Sequence, residues 1–311
     1  MKKKSLLIIG GTGFFGKSIL DYFANYINLK KKIQKILIIS RKNCRLDILD
    51  IIKKNYEFKK INEDILTLKK FPAADYIIYC ALLKNLKKDH LALKKFIYIA
   101  KKNYKKSKIL YISSGAVYGK QPINIKKIKE SYFDSKKINN YYKNGYKKEY
   151  SIIKTKNEKI FSELKKYRIK ISIARCFAFV GRFIPRNSNY VVGNFIENVL
   201  KNQDLLILSD YRIFRSYMYA DDLSRWLIKI VENADEKCPI YNVGSDDLIS
   251  IQKLGNILAK KNNLNCLIKK DYKKNYDLYV PNINKIKKKL NLYTKFSSIE
   301  AVNKTIELLK K

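Results

Sequence analysis

Short, continuously apolar segments alternate with amphipathic segments through the first 180 residues, and this alternation most restricts the possible fold. The apolar segments are 5–9, 35–40, 76–81, 108–114 and 170–179. Strands that are buried on both faces have this uninterrupted apolar pattern, and the helices between them return the chain so that each strand runs in the same direction. We therefore predict an α/β fold with a doubly wound parallel sheet.

The pattern changes after about residue 180, where the strands become shorter and the spacing less regular. Helical periodicity returns near 221–232, 250–262 and 298–310. We predict two domains, 1–180 and a smaller α/β lobe at 181–311, whose strands can interleave. No stretch approaches the roughly 20 apolar residues of a membrane span, and the apolar run at 6–9 is too short for a signal peptide. We expect no membrane partner.

The formal net charge is +40, from 67 Lys and Arg against 27 Asp and Glu. The basic residues are spread over the whole chain, which indicates a compositional bias and no specific nucleic-acid partner. The five cysteines stand apart without metal-ligand spacing, and His90 is the only histidine. These features predict no metal site and favour a reducing, cytoplasmic location.

Three spaced glycines, Gly10, Gly13 and Gly16, lie between the first predicted strand and the first predicted helix. The first glycine allows a tight turn, the second allows a pyrophosphate to approach the backbone, and the third lets the helix pack against the strand. The helix N-terminus then faces the anion. A plain bend is the alternative, but the strand–turn–helix context favours dinucleotide binding.

This glycine spacing and the segment YISSGAVYGK at 111–120 resemble the extended short-chain dehydrogenase/reductase family, the nucleotide-sugar epimerase/dehydratase branch. The resemblance implies a Rossmann NAD(P)-binding domain at 1–180 and a nucleotide-sugar-binding lobe at 181–311. It also implies further cofactor contacts beside the three glycines. These are Phe14, Phe15, Asp64, Ile65, Ala81 and Leu82.

The second predicted strand ends in Ser40-Arg41-Lys42, where an NAD enzyme of this type has a carboxylate for the ribose hydroxyls. A cation suits a 2′-phosphate, so Arg41 favours NADP over NAD as the cofactor. Because basic residues are common throughout this chain, NAD stays open.

The resemblance implies a catalytic Ser114, Tyr150 and Lys154. Tyr-x-x-x-Lys spacing occurs by chance in a chain with 24 tyrosines, for example at Tyr104/Lys108. Tyr150/Lys154 is favoured because it begins a strong helical pattern after the serine strand. The pair is 36 residues beyond Ser114, about ten more than the family pattern, and the extra residues around 136–148 are predicted to form a surface loop.

In the second half, Asn194 and Arg215 match positions that the family uses for the substrate diphosphate. Gly115-Ala116 follow Ser114 where the 4,6-dehydratases have an acid pair, which favours an epimerase or a 4-ketoreductase. A 4,6-dehydratase-like enzyme and a non-catalytic RNA- or dinucleotide-binding protein remain alternatives. The family resemblance further implies a homodimer and a role in surface polysaccharide biosynthesis.

Overall fold

A computed structural model describes residues 3–41, 47–134, 145–186, 190–272 and 276–310. The chain divides into two compact units, each assembled from three stretches. The first unit contains Met1–Val117, Ser135–Arg175 and Ser224–Tyr241. The second unit contains Tyr118–Asp134, Cys176–Leu223 and Asn242–Lys311.

Fourteen strands are formed by the described residues. They are β1 Lys4–Ile9, β2 Ile33–Ile39, β3 Glu57–Ile61, β4 Tyr76–Tyr79, β5 Lys108–Ser114, β6 Lys170–Cys176, β7 Phe179–Val180, β8 Leu205–Ile207, β9 Arg212–Arg215, β10 Met218–Tyr219, β11 Ile240–Val243, β12 Ile249–Ser250, β13 Cys266–Ile268 and β14 Tyr276–Tyr279.

Nine α-helices lie between and after these strands in the described part of the chain. They are α1 Phe14–Asn25, α2 Ile48–Asn55, α3 Leu86–Asn103, α4 Tyr146–Ser162, α5 Val191–Leu200, α6 Ala220–Glu232, α7 Ile251–Lys261, α8 Asn284–Leu290 and α9 Ser298–Lys310. Short 3-10 turns complete the connections, among them Gly115–Tyr118 directly after β5.

Seven strands form the central sheet in the order β11-β6-β5-β4-β1-β2-β3. The pairings from β3 to β5 are all parallel. Because strand order reverses between β1 and β4, the crevice at the carboxyl ends of these two strands is the place where such folds bind ligands. The predicted parallel α/β sheet, a Rossmann-like fold, is confirmed.

The core of the first unit follows from the apolar strands. Leu6, Leu7, Ile8 and Ile9 of β1 have no exposed surface, and β2 is buried in the same way along its last four residues. Strands buried on both faces need helices on both sides, and α1 to α4 supply them. The second unit carries the smaller sheets, which pair β7 with β10, β8 with β13, and the central β9 with both β12 and β14.

Two helices begin one turn earlier than their periodicity predicts. The periodicity between the predicted strands at 76–81 and 108–114 predicts a helix from about His90 to Lys102. That helix, α3, begins at Leu86, because the Asn85 side chain accepts a hydrogen bond from the Lys88 N–H at 3.0 Å and caps it. The helix expected from Tyr150 begins at Tyr146, after Gly145 with φ of +91°. Residues 146–148 of the predicted loop are therefore helical, and residues 136–144 lie outside the described residues.

Candidate functional site

The glycine turn joins β1 to α1 by a close backbone approach. Gly10 has φ of +97°, and a Cβ atom there would lie 2.6 Å from the Ala81 nitrogen. A Cβ atom on Gly16 would lie 2.5 Å from the Gly11 Cα atom. Gly13 is the N-cap of α1, and its N–H donates to the Gly10 carbonyl at 3.0 Å.

These contacts leave a surface that suits an anion. The first turn of α1 contains no acidic residue, and its N-cap residue is a glycine, which leaves the backbone uncovered. The backbone N–H groups and the positive end of the helix dipole attract a phosphate at such a terminus. Phe14 and Phe15 begin the helix with their rings edge to face at 5.7 Å between centroids.

Beyond the end of β2, Arg41 meets one of the predicted cofactor residues. The Arg41 Nη1 atom lies 3.7 Å from Asp64 Oδ2, and both side chains are partly exposed. Asp64 Oδ1 also accepts a hydrogen bond from the Leu66 N–H at 2.8 Å, which fixes the carboxylate. Ile65, the residue that follows Asp64, is buried. The neighbouring Lys42 lies outside the described residues.

After β4, the two residues that the family resemblance places beside the cofactor have different environments. Ala81 is buried against the glycine turn, whereas the Leu82 side chain is 48% exposed. The next residue, Leu83, is held through its N–H, which donates to Asp89 Oδ1 at 2.9 Å. The backbone of this segment is therefore anchored to α3.

The two serines at the end of β5 have distinct partners. Ser113 Oγ donates to Glu158 Oε1 at 2.6 Å, deep in the first unit. Ser114 Oγ accepts a hydrogen bond from the Ala116 N–H at 3.1 Å. Ser113 therefore connects the strand to α4, while Ser114 stands at the carboxyl end of the strand where the 3-10 turn begins.

Tyr150 and Lys154 occupy one face of α4. Lys154 Nζ lies 5.8 Å from the centroid of the Tyr150 ring, and that ring stacks on Tyr146 at 5.8 Å. Lys154 is only 3% exposed. Its ammonium donates to the Tyr111 hydroxyl at 3.3 Å and to the Ile112 carbonyl at 3.2 Å.

The charge of this buried ammonium is stabilised by its neighbours. Burial lowers the pKa of Lys154, but the negative charge that Tyr111, Tyr150 and Asp89 can carry outweighs burial and raises the pKa above its usual range. Burial raises the pKa of Tyr111 to about 12. Lys154 is therefore a cation, and it can favour the phenolate form of an adjacent tyrosine.

A buried ion pair fixes the next turn of α4. Arg175 Nη2 lies 2.8 Å from Glu158 Oε2, and the Arg175 Nε atom donates to Glu158 Oε1 at 3.1 Å. Both side chains are almost fully buried. The pair connects α4 to β6, and Glu158 also holds Ser113, so the helix with Tyr150 and Lys154 has a defined position on the sheet.

The predicted diphosphate residues lie in the second unit. Asn194 is in the first turn of α5, where its N–H donates to the Tyr190 carbonyl at 3.1 Å. Arg215 ends β9, and its guanidinium donates to the Asp277 carboxylate and carbonyl, both at 2.9 Å, and to the Phe214 carbonyl. Arg215 is thus held in place by β14 through Asp277, a partner that sequence reasoning missed.

Sequence reasoning also missed the residues that surround Lys154. Tyr111, Asp89 and Asn157 are buried and lie on three different elements, and only Asn157 is on the same helix face as Lys154. Within the described ranges, no group of three or more His, Cys, Asp or Glu side chains could hold a metal ion. No helix in the same ranges is long and apolar enough to cross a membrane.

The parallel sheet, the glycine turn at its switch point and the buried lysine define a dinucleotide-binding α/β protein of the Rossmann type. The model of the NAD dependent epimerase/dehydratase family matches residues 6–244. The chain belongs to this family, as the glycine spacing and the Ser114 segment indicate.

A curated relative is the dTDP-D-glucose 4,6-dehydratase of Dictyostelium discoideum, 25% identical over 276 residues. That alignment covers 79% of this chain and 59% of the relative, so the chain spans about three fifths of the relative's length.

Solved structures share the fold at low identity. The UDP-N-acetylglucosamine 4-epimerase of Methanobrevibacter ruminantium M1, in complex with UDP-N-acetylmuramic acid, is 19% identical with a TM-score of 0.78 over 99% of each chain. The UDP-glucose 4-epimerase of Thermotoga maritima, with UDP-glucose, is 18% identical with a TM-score of 0.78 over 98% of each chain. The dTDP-glucose 4,6-dehydratase of Bacillus anthracis str. Ames, in complex with NAD, is 16% identical with a TM-score of 0.80 over 99% of this chain and 96% of the other.

Proposed function

We propose that this protein is an NAD(P)-dependent nucleotide-sugar epimerase or 4-ketoreductase that acts at a sugar hydroxyl or ketone. The observation that carries the proposal is the buried Lys154 ammonium beside the Tyr150 ring on α4. A lysine in this position is a cation that stabilises a phenolate, and a phenolate is the base that sugar oxidation needs. Family membership supports the same reaction class.

The residues around the glycine turn fit a dinucleotide. Gly10 and Gly16 lie where a Cβ atom would collide with backbone, so the turn is as tight as a pyrophosphate cradle requires. Gly10, Gly13 and Gly16 would hold the pyrophosphate with Phe14 and Phe15 at the start of the helix. A bound nicotinamide would supply hydride transfer at the sugar carbon.

The remaining cofactor residues would hold the two ends of the dinucleotide. Asp64 and Ile65 would contact the adenine, and Ala81 and Leu82 would line the path toward the nicotinamide. We propose NADP over NAD, because the half-exposed Arg41 is available to a 2′-phosphate. Its ion pair with Asp64 at 3.7 Å is partly exposed, and such pairs contribute about 1 kcal/mol or less, so a phosphate can displace the carboxylate.

The catalytic roles follow from the chemistry of the side chains. Tyr150 would accept the proton from the sugar hydroxyl during oxidation and return it during reduction. Ser114 would hold the same oxygen by a hydrogen bond, and Lys154 would favour the phenolate and bind the nicotinamide ribose. In the second unit, Arg215 and Asn194 would bind the diphosphate of the nucleotide sugar.

The dehydratase alternative has support from the curated relative but not from the residues after Ser114. The 3-10 turn there begins with Gly115 and Ala116, which carry no acid or base. Elimination of water requires a proton donor for the leaving hydroxyl. Epimerisation and ketone reduction need only the hydride and the Tyr150 proton, and they are therefore favoured.

The first test is the absorption spectrum of the purified protein, followed by fluorescence titration with NADH and NADPH. Retained NAD⁺ would support an epimerase, and UDP- and dTDP-sugars would be assayed for epimerisation. An empty protein with a preference for NADPH would support a reductase of 4-keto sugar nucleotides. Binding of neither cofactor contradicts the proposal.

The matched variants are Tyr150→Phe and Tyr98→Phe. Tyr98 and Lys102 have the same Tyr-x-x-x-Lys spacing on an exposed helix face. Tyr98 is 60% exposed, and Lys102 Nζ donates a hydrogen bond to its hydroxyl at 2.6 Å. We expect Tyr150→Phe to lower turnover by about 10²- to 10⁴-fold with cofactor binding retained. Tyr98→Phe should leave turnover unchanged, and equal effects of the two variants would refute the assigned role.

A further inference from the structure

Asp89 is a buried carboxylate that the proposed reaction does not use. It lies in the first turn of α3 and is only 2% exposed. Asp89 Oδ1 accepts the Leu83 N–H at 2.9 Å, and Oδ2 accepts the Asn157 side-chain amide at 3.3 Å. An ionised carboxylate in such a place needs a compensating charge, because two hydrogen bonds replace only part of its hydration.

The compensating charge lies on the helix to which Asp89 is hydrogen-bonded. Asn157 is fully buried and lies three residues after Lys154 on α4. The hydrogen bond from its amide to Asp89 therefore joins α3 to the turn of α4 that carries Lys154. Lys154 is itself only 3% exposed and donates to the Tyr111 hydroxyl at 3.3 Å. Asp89, Asn157, Lys154 and Tyr111 therefore belong to one buried group of side chains on α3, α4 and β5.

Asp89 and Lys154 influence each other's pKa. Burial raises the pKa of Asp89, and the Lys154 charge, the Leu83 N–H and Asn157 oppose this increase. Asp89 in turn is one of the groups that raise the pKa of Lys154. Each charge thus reduces the cost of burying the other, which is the condition under which buried ions persist in proteins.

Other titratable groups face this buried group of side chains, and most of them stay neutral. Tyr79 on β4 packs 6.0 Å from the Tyr111 ring, and burial raises its pKa well above the usual range. Burial raises the pKa values of Tyr111 and Cys80 to about 12. Asp64 faces Tyr79 but is paired with Arg41.

His90 and Tyr150 are also close to this group, whereas Glu158, on the next turn of α4, is paired with Arg175. His90 Nδ1 lies 2.6 Å from Asn157 Oδ1, and Tyr150 faces Lys154. Since the amide of Asn157 donates to Asp89, its oxygen accepts from His90. Among the described residues around Lys154, Asp89 is therefore the carboxylate that balances the ammonium.

We propose that Asp89 is the buried counter-ion of Lys154 and limits how strongly the ammonium stabilises the phenolate form of Tyr150. The proposal rests on the proposed roles of Tyr150 and Lys154. Asp89 acts through Lys154 and is thus a positioning residue. The same carboxylate holds the Leu83 N–H, so it also anchors the segment that follows the cofactor residues Ala81 and Leu82.

The test is a carbon-13 NMR titration of tyrosine Cζ atoms, with the Tyr150 signal assigned from Tyr150→Phe. Asp89→Asn removes the charge and keeps an oxygen that can accept the Leu83 N–H. We expect its Tyr150 ionisation midpoint to fall by about 0.5 to 1 pH unit, because an uncompensated ammonium favours the phenolate. An unchanged or higher midpoint would overturn the proposal.

Three controls separate charge from structure. Asp89→Glu keeps the charge, so its midpoint should stay at the wild-type value. Asp75→Asn removes a carboxylate before β4, at the opposite end of the sheet, and should also leave the midpoint unchanged. His90→Gln keeps a donor for Asn157, and a downward shift as large as that of Asp89→Asn would assign the effect to the imidazole and overturn the proposal.

Two further measurements keep the proposal testable if the Asn variant fails to fold. Asp89→Ser removes the charge with a smaller side chain and must produce the same downward shift. In the wild-type protein, the Asp89 carboxyl carbon must report an ionised group at pH 7, and a protonated group overturns the proposal. Neither measurement needs turnover, so a shift without sugar-nucleotide activity would refute the proposed function alone.

Discussion

Replacing Gly16 with alanine tests whether the glycine turn is built by close packing. The new Cβ atom would lie 2.5 Å from the Gly11 Cα atom, 2.6 Å from the Gly11 carbonyl carbon and 2.7 Å from the Gly10 carbonyl oxygen. All three atoms belong to backbone, so no flexible side chain can move aside. The start of α1 has to shift away from the turn after β1.

The magnitude follows from two opposing effects. Overpacking in a well-packed region costs about 1–3 kcal/mol. Gly16→Ala belongs at the upper end of this range because all three close contacts are with backbone atoms. Alanine inside a helix gains about 0.5–1 kcal/mol over glycine. We therefore expect a net loss of about 2 kcal/mol in the free energy of unfolding, measured by urea denaturation with circular dichroism.

Gly13 provides the matched control on the same turn. A Cβ atom there would have the Gly10 carbonyl oxygen as its nearest contact, at 3.5 Å, and the backbone angles are open to any residue. We expect Gly13→Ala to change the free energy of unfolding by less than about 0.5 kcal/mol, because the gain from a less flexible unfolded chain offsets a poorer N-cap.

The same variant should nevertheless weaken NADH or NADPH binding by at least about tenfold, since the methyl group would lie where we propose that the pyrophosphate approaches the backbone. Fluorescence titration measures this change. If Gly13→Ala destabilises the fold as much as Gly16→Ala, or if Gly13→Ala binds both dinucleotides normally, the assignment of the turn is wrong.

Two further predictions concern carboxylates in the first unit. Glu158→Gln should lower the free energy of unfolding by about 3 kcal/mol or more, because the buried Arg175 loses its counter-ion. Urea denaturation measures this change, and the control is Glu57→Gln, which removes the carboxylate of an exposed ion pair. Burial raises the pKa of Asp75, but hydrogen bonds from Ser5 and Lys4 lower it by more than burial raises it. The net pKa is below the usual range. The ionised Asp75 therefore stabilises the fold at pH values above the pKa of the carboxyl in the unfolded state. This stabilisation is lost as the pH falls through the pKa of the folded state. Asp75→Asn should cost about 1 kcal/mol at pH 7, and this cost should vanish in acid.

The strands and the glycine turn could be predicted because their signals are local. The apolar segment at 108–114 coincides with β5, Lys108–Ser114, since a strand buried on both faces needs an unbroken apolar run. Helix starts were less predictable. The cap at Asn85 and the positive φ of Gly145 decide where α3 and α4 begin, and neither feature changes the apolar periodicity.

The partners of the site residues could not be predicted, because they depend on contacts between distant segments. Arg215 is recognisable from its motif, yet Asp277 lies 62 residues later and reaches it only because β14 pairs with β9. Asp89 and Asn157 are likewise 68 residues apart in sequence. The periodicity predicts the helix only from His90, so it indicates neither that Asp89 is helical nor that its carboxylate is buried.

The Tyr-x-x-x-Lys spacing shows why burial, more than sequence, distinguishes the lysine that we propose for catalysis. Tyr98 and Lys102 have this spacing within α3, and their polar atoms are in contact at 2.6 Å. Tyr98 is 60% exposed, so water screens the Lys102 charge and the hydroxyl gains little from it. Lys154 is the one buried lysine among the described residues, and its charge acts through protein with far less screening. In a chain with so many lysines, the residue type carries little information, and the low dielectric around Lys154 is what supports the role that we propose for Tyr150 and Lys154.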